Sequence, residues 1–228
     1  MNDFMNKMIP VSLSDKFMFR CRQCGNCCRN VKASVPLESL DAFRLAKYLR
    51  DNGSENIKCI DDVLTIYASP VLLHESGYTV FLLNTVDNDD SCVFLKDNKC
   101  TIHDAKPRAC RTYPISVGTD GHGVYEQYLS VEQTHHFKGP QFSAKKWIRK
   151  QFSNQEREFL NVDIGFAKEI SQLLEKIPLQ EKIQAMFKFL IYKYLNYNLD
   201  KSFINQFKAN NQKLIEVLRE LVPEEPKN

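Results

Sequence analysis

Phe19-Arg-Cys21-Arg-Gln-Cys24-Gly-Asn-Cys27-Cys28 is the most specific stretch of this 228-residue chain. Two residues between cysteines let a short loop aim both sulfurs at one centre, the half-site of zinc and iron–sulfur motifs. Here that spacing occurs twice in succession, through Cys21, Cys24 and Cys27. Gly25 lies inside the loop, where a positive φ helps wrap backbone around a metal. Cys28 follows Cys27 directly, and adjacent side chains tend to diverge, so the pair is not expected to serve one tetrahedral ion: the two could serve two centres, or one of them is a redox or packing residue.

A second group follows as Cys92, Cys100 and Cys110, spaced C-x7-C-x9-C. Seven of the eight cysteines are therefore grouped. The eighth, Cys59, sits in the apolar patch Ile57-Lys-Cys-Ile60 and reads as a buried thiol rather than a ligand. Seven thiols plus one histidine would fill two tetrahedral sites, and His103, His135 and His136 are the candidates. Four cysteines alone would instead hold one [4Fe–4S] cluster. The doubled C-x2-C favours iron–sulfur chemistry, whereas the Cys-Cys pair and the long second spacings fit zinc, so both metals stay open.

Composition narrows the class. Hydrophobic content of 43% and charged content of 26% are those of a globular protein. A net charge of +3 is too weak to argue for nucleic acid or an anionic membrane. The basic run 145–150 reads as a solvated helix face, and 87–90 as a plain acidic loop without EF-hand spacing. No long apolar span occurs, and residues 1–16 show no signal-peptide pattern. The expected compartment is cytoplasmic, where grouped cysteines point to metal or redox chemistry rather than disulfides.

The expected fold is α+β. Residues 1–140 form a small loop-rich metal-binding domain of short strands and helices. Residues 141–228 form a helical bundle or cap. Leu40, Phe43, Leu45, Ala46 and Leu49 give one helix over 36–52, stopped at Gly53. Strands are expected at 78–83, 92–95, 99–102 and 124–131, with a polar turn at 96–98. In the second part three stripes at three- and four-residue spacing predict helices. The middle stripe runs through Ile183, Met186, Phe187, Leu190, Ile191, Tyr194 and Leu195. The tail from residue 223 reads as disordered.

The three blocks carry a resemblance. The first is the stretch quoted above, the second is Cys92-Val-Phe-Leu95, and the third is Cys100-Thr-Ile-His-Asp-Ala-Lys-Pro-Arg-Ala-Cys-Arg-Thr-Tyr-Pro114. In order, they resemble the YkgJ-type cysteine-cluster family of zinc- or iron-chelating domains over roughly 17–140. The family's Arg-Pro is here Lys106-Pro107. Where many members carry a further cysteine, this chain has Glu132-Gln-Thr-His-His-Phe-Lys-Gly-Pro140. The resemblance thus implies that a histidine, His136 in preference to His135, completes a ligand set of Cys21, Cys24, Cys27, Cys28, Cys92, Cys100 and Cys110. A larger relative, flagellin lysine-N-methylase, shares the cluster type and implies methyl transfer from S-adenosylmethionine. This chain shows no glycine-rich Rossmann fingerprint for that cofactor. Three functions follow as expectations: a metal or iron–sulfur centre with redox or group-transfer chemistry, a structural-zinc module that binds a protein partner, or metal storage. Whether the chain is an enzyme stays open, and no catalytic residue is singled out. Arg108 and Arg111 flank Cys110 and could offset thiolate charge or bind an anion.

Overall fold

The structure is a computed structural model and describes residues 8–86, 88–119 and 125–223. The expectations for the first seven residues, for Asp87, for Val124 and for the tail beyond 223 lie outside the described residues. The architecture is α+β, with short strands and a helical C-terminal region. It divides into two compact units. One combines the residues up to Val35 with Thr85–Ser153, and the other combines Pro36–Asn84 with the residues from Asn154 onward.

In the first unit, Met8–Val11, Tyr125–Ser130 and Ile115–Thr119 form a three-stranded antiparallel sheet with Tyr125–Ser130 central. Lys16–Met18 pairs antiparallel with Gln141–Ser143. Buried Phe17, Phe19, Ile115, Leu129, Ala144 and Trp147 make the core between these ladders. Aromatic residues dominate it because short strands offer few inward positions, and each ring buries more area than an aliphatic side chain. The Trp147 indole also donates to the Thr112 carbonyl at 2.9 Å, so its polar edge is not left unpaired.

Two tight ladders carry the second cysteine block. Thr85–Val86 pairs with Ser91–Cys92, and Leu95–Lys96 with Lys99–Cys100. The second is a two-residue hairpin whose central Asp97 and Asn98 have φ of 51° and 58°. Positive φ at both positions is the hairpin turn that short polar side chains tolerate. The strands expected at 92–95 and 99–102 are shorter and shifted, because Cys92 pairs back with Thr85 and the hairpin pairs only Leu95 with Cys100 and Lys96 with Lys99. The helix α4, Ala144–Gln151, points Trp147 inward and leaves Lys145, Lys146, Arg149 and Lys150 exposed. That is the solvated face expected of the basic run.

The second unit has a sheet in the order Pro36–Leu37, Thr79–Leu83, Ala68–Leu72. The burial of Thr79–Leu83 alternates as a half-buried strand requires. Helix α1, Ser39–Asp51, buries Leu40, Phe43, Leu45 and Ala46. It starts later than expected because Pro36 and Leu37 are drawn into the sheet opposite Leu82 and Phe81. Gly53, at φ 85°, follows its end. Helix α2, Ile60–Tyr67, is followed along the chain by α3, Arg108–Thr112, which belongs to the first unit. Helices α5, Asn154–Lys176, α6, Lys182–Leu190, and α7, Phe203–Arg219, complete the second unit.

The middle helical stripe lies only partly on its expected face: Tyr194 is buried as expected, but other members are not. Ile183 and Phe187 are 70% and 63% exposed, and Ile191 is exposed too, while Ala185, Phe189 and Tyr194 are buried. Phe189 packs on Tyr78 and Tyr194 on Phe81, each at 5.0 Å between rings. A π-helical turn over Ile191–Leu195 shifts the register and brings Lys193 inward as well. The buried Lys193 ammonium is satisfied by Asp163 and the face of Phe207.

Candidate metal centre

Phe19 and Arg20 leave the Lys16–Met18 strand and run beside residues 136–140. The Phe19 N–H donates to the Pro140 carbonyl at 3.2 Å, and the Arg20 N–H to the His136 carbonyl at 2.9 Å. The Phe19 ring meets His136 edge-on at 5.6 Å and Tyr113 at 5.9 Å. These contacts hold the 3-10 turn Thr134–His136 against the cysteine loop.

The result is a cluster of two nitrogens and one sulfur. Cys24 Sγ lies 3.3 Å from His135 Nε2 and 3.2 Å from His136 Nε2. Among the described residues, these three form the one group whose metal-type donor atoms all lie within 4.8 Å of one another. Burial lowers the pKa of His136, with the nearby His135 adding to it. The ring is thereby kept neutral, the form that ligates a metal. Its Nδ1 is buried with no hydrogen-bond partner, so Nε2 is the nitrogen that faces the thiol.

Gly25 follows Cys24 in the left-handed region, at φ 73°, and caps the 3-10 turn Asn26–Cys28. A Cβ at this position would stand 2.6 Å from the Asn98 carbonyl oxygen and 2.7 Å from Leu95 Cδ1. The loop is pressed that closely onto the 95–100 hairpin. Arg29 reinforces the contact, donating to Asp89 at 2.6 Å and to Asn98 at 2.7 Å. Backbone bonds from Asn30 to Asp89 and from Val31 to Asp90 extend it.

On that side of the loop Cys28 neighbours Cys100 and Cys27. The Cys100 thiol first, then Cys27 and burial, favour the protonated form of Cys28 and push its pKa up. The neighbouring Cys28 thiol lowers Cys27 and Cys100 to about 7, and the Lys106 ammonium pulls both further in the same direction. Cys92 and Cys110 are raised, chiefly by burial and then by the neighbouring thiols, among them Cys27 and Cys100. Five of the predicted ligands are therefore electrostatic neighbours.

The remaining candidates are placed as follows. Cys21 is exposed and lies outside the Cys24–histidine group. His103 is also outside it, near Asp104, with its Nε2 buried and unpartnered. Cys59 belongs to the second unit and is half-buried rather than buried. Its thiol donates to Asp62 at 3.3 Å at the start of α2. Arg111 donates to the Lys106 and Gln151 carbonyls and so braces the backbone of its own block.

His135, a sequence candidate ranked below His136, stands equal to it here beside the Cys24 thiol. One contributor escaped the sequence. Lys106 supplies the charge beside the thiols. Its signal was the replacement of the family's Arg-Pro by Lys-Pro, which kept a cation at that position.

The donor set fits a metal. Bond lengths of a tetrahedral zinc put sulfur and nitrogen ligands roughly 3.5 Å apart. The 3.2 and 3.3 Å separations approach that edge without rearrangement. A family described as CxxCxxCC, a putative zinc- or iron-chelating domain, matches residues 20–144, more than half of the sequence. The chain belongs to that family, as the three cysteine blocks implied. No curated protein and no solved structure matches it. No helix among the described residues is long and apolar enough to cross a membrane.

Proposed function

We propose that this chain is a cytoplasmic metal-binding protein whose grouped cysteines, with the two adjacent histidines, coordinate zinc or an iron–sulfur cluster. The observation that carries the reading is the convergence of Cys24, His135 and His136 on one point. Cys27 and Cys100, lowered to about 7, supply thiolate at neutral pH, the form that binds metal. All eight cysteines are free thiols, as a reducing compartment requires. His135 and Cys21 are exposed, which leaves a metal there open to a reactant and favours redox or group-transfer chemistry over a sealed structural site.

A structural role for zinc is the second reading, favoured by the two-residue strands that carry Cys92 and Cys100. Ladders that short bury little area, and a metal bridging them would supply the missing stability. Anaerobic purification followed by metal analysis and absorption spectroscopy tests both readings. A brown protein absorbing at about 400 nm supports an iron–sulfur centre. A colourless zinc protein that unfolds on chelation supports the structural role. Protein that carries neither metal, even after anaerobic reconstitution, sinks the metal-binding reading.

A further inference from the structure

We propose that the ligand set is divided between two separate metal centres: a mixed centre on Cys24, His135 and His136, and a thiolate centre built around Cys27, Cys28 and Cys100. This rests on the metal-binding reading above and specifies how the ligands are shared.

The division begins at Gly25. Its left-handed backbone reverses the chain between Cys24 and the turn that carries Cys27 and Cys28. Different partners then hold the two sides. Before Gly25, the Arg20 N–H bond to His136 and the Phe19–His136 ring contact tie the chain to the histidine turn. After it, Arg29 ties the chain to Asp89 and Asn98, next to Cys100. The Gly25 seat on Asn98 and Leu95 brings the Asn26–Cys28 turn onto the hairpin that carries Cys100, while the contacts of Cys24 Sγ run to the two histidines. None of the other cysteines joins the Cys24–histidine group within 4.8 Å.

The donors of the two groups also differ in kind. Two imidazoles and one thiolate suit a borderline divalent ion such as zinc or iron(II). They leave a fourth position, for which the C-x2-C spacing offers Cys21. Several thiolates suit zinc or an iron–sulfur cluster. The adjacency of Cys27 and Cys28 is then no obstacle, since neither has to reach the ion held by Cys24.

Cadmium-113 NMR of the full chain, loaded anaerobically, is the direct test. Cadmium shifts separate thiolate-rich from nitrogen-containing sites, so the intact protein should show two resonances of different donor type. The His135→Ala/His136→Ala variant should lose the nitrogen-containing resonance and keep the thiolate one. Cys100→Ser should do the reverse. Circular dichroism of each variant guards against unfolding, and the wild-type spectrum needs no variant at all. A single resonance, or loss of both in either folded variant, overturns the division but leaves metal binding intact. A chain that takes up no cadmium, zinc or iron overturns both.

Discussion

The Arg20 N–H donates to the His136 carbonyl at 2.9 Å, and the Phe19 side chain beside it presses edge-on against the His136 ring. One strand end thus anchors the histidine turn by its backbone and aims it by its side chain. Phe19 in turn is held by Trp147, at 5.0 Å between rings, so the aromatic core of the first unit sets the geometry of the metal donors.

Phe19→Ala should therefore cost stability and metal affinity together. Truncating a buried phenylalanine typically costs about 3–5 kcal/mol. Phe19→Leu keeps most of the volume and should cost about 1–2 kcal/mol. Urea unfolding of both variants with zinc competition titrations checks this. Full affinity in a folded Phe19→Ala protein would contradict the positioning role.

Gly25→Ala should be among the most damaging single-methyl additions in the chain. The left-handed conformation costs an alanine about 1–2 kcal/mol, and the new Cβ would stand 2.6 Å from the Asn98 backbone oxygen. Overpacking adds about 1–3 kcal/mol. Gly53→Ala is the control, since that position has a positive φ but open space around its Cβ. The prediction is a lower melting temperature for both variants and lost metal stoichiometry for Gly25→Ala alone.

Lys106→Gln should slow thiol alkylation in the reduced, metal-free protein at neutral pH. The neighbouring Cys28 thiol lowers Cys27 and Cys100 to about 7, and the Lys106 charge is a further cause acting in the same direction. Removing a nearby positive charge disfavours thiolate, so the alkylation midpoint moves up in pH. Lys106→Arg should restore the wild-type profile. Identical pH–rate curves for the glutamine variant and the wild type would show that Lys106 does not act on the thiols.

Asp89 gives the cysteine loop an acid-sensitive clamp. Bonds from Ser91 and then Arg29 hold its carboxyl below the usual carboxylate value of 3.8. A depressed folded-state pKa contributes stability above the unfolded value, and that contribution is lost as pH falls through the folded one. Metal-free Asp89→Asn should melt below wild type at pH 7, and the gap should close as acid protonates the wild-type carboxylate. A gap that persists at low pH would mean that charge is not the cause.

Much of the site's inventory was legible in the chain. The C-x2-C steps and the free glycine between them are local, because a loop of two residues has few ways to place its sulfurs. The polar Asp97-Asn98 turn is local for the same reason. The mixed strand-and-helix character and the helical C-terminal region follow from side-chain periodicity, which is also a short-range property.

Only the tertiary structure decided which donors meet. Cys24 and His136 are 112 residues apart and come together because Phe19, Trp147 and their neighbours pack into one core. The approach of the Asn26–Cys28 turn to the hairpin that carries Cys100 depends on how closely Gly25 seats against Asn98 and Leu95. The outward face of α6 was likewise set by competition: Phe189 found an aromatic partner in Tyr78, and Ile183 and Phe187 were left outside. Periodicity marks which residues can share a face. Packing against residues distant in the chain chooses which face is buried and which ligands share an ion.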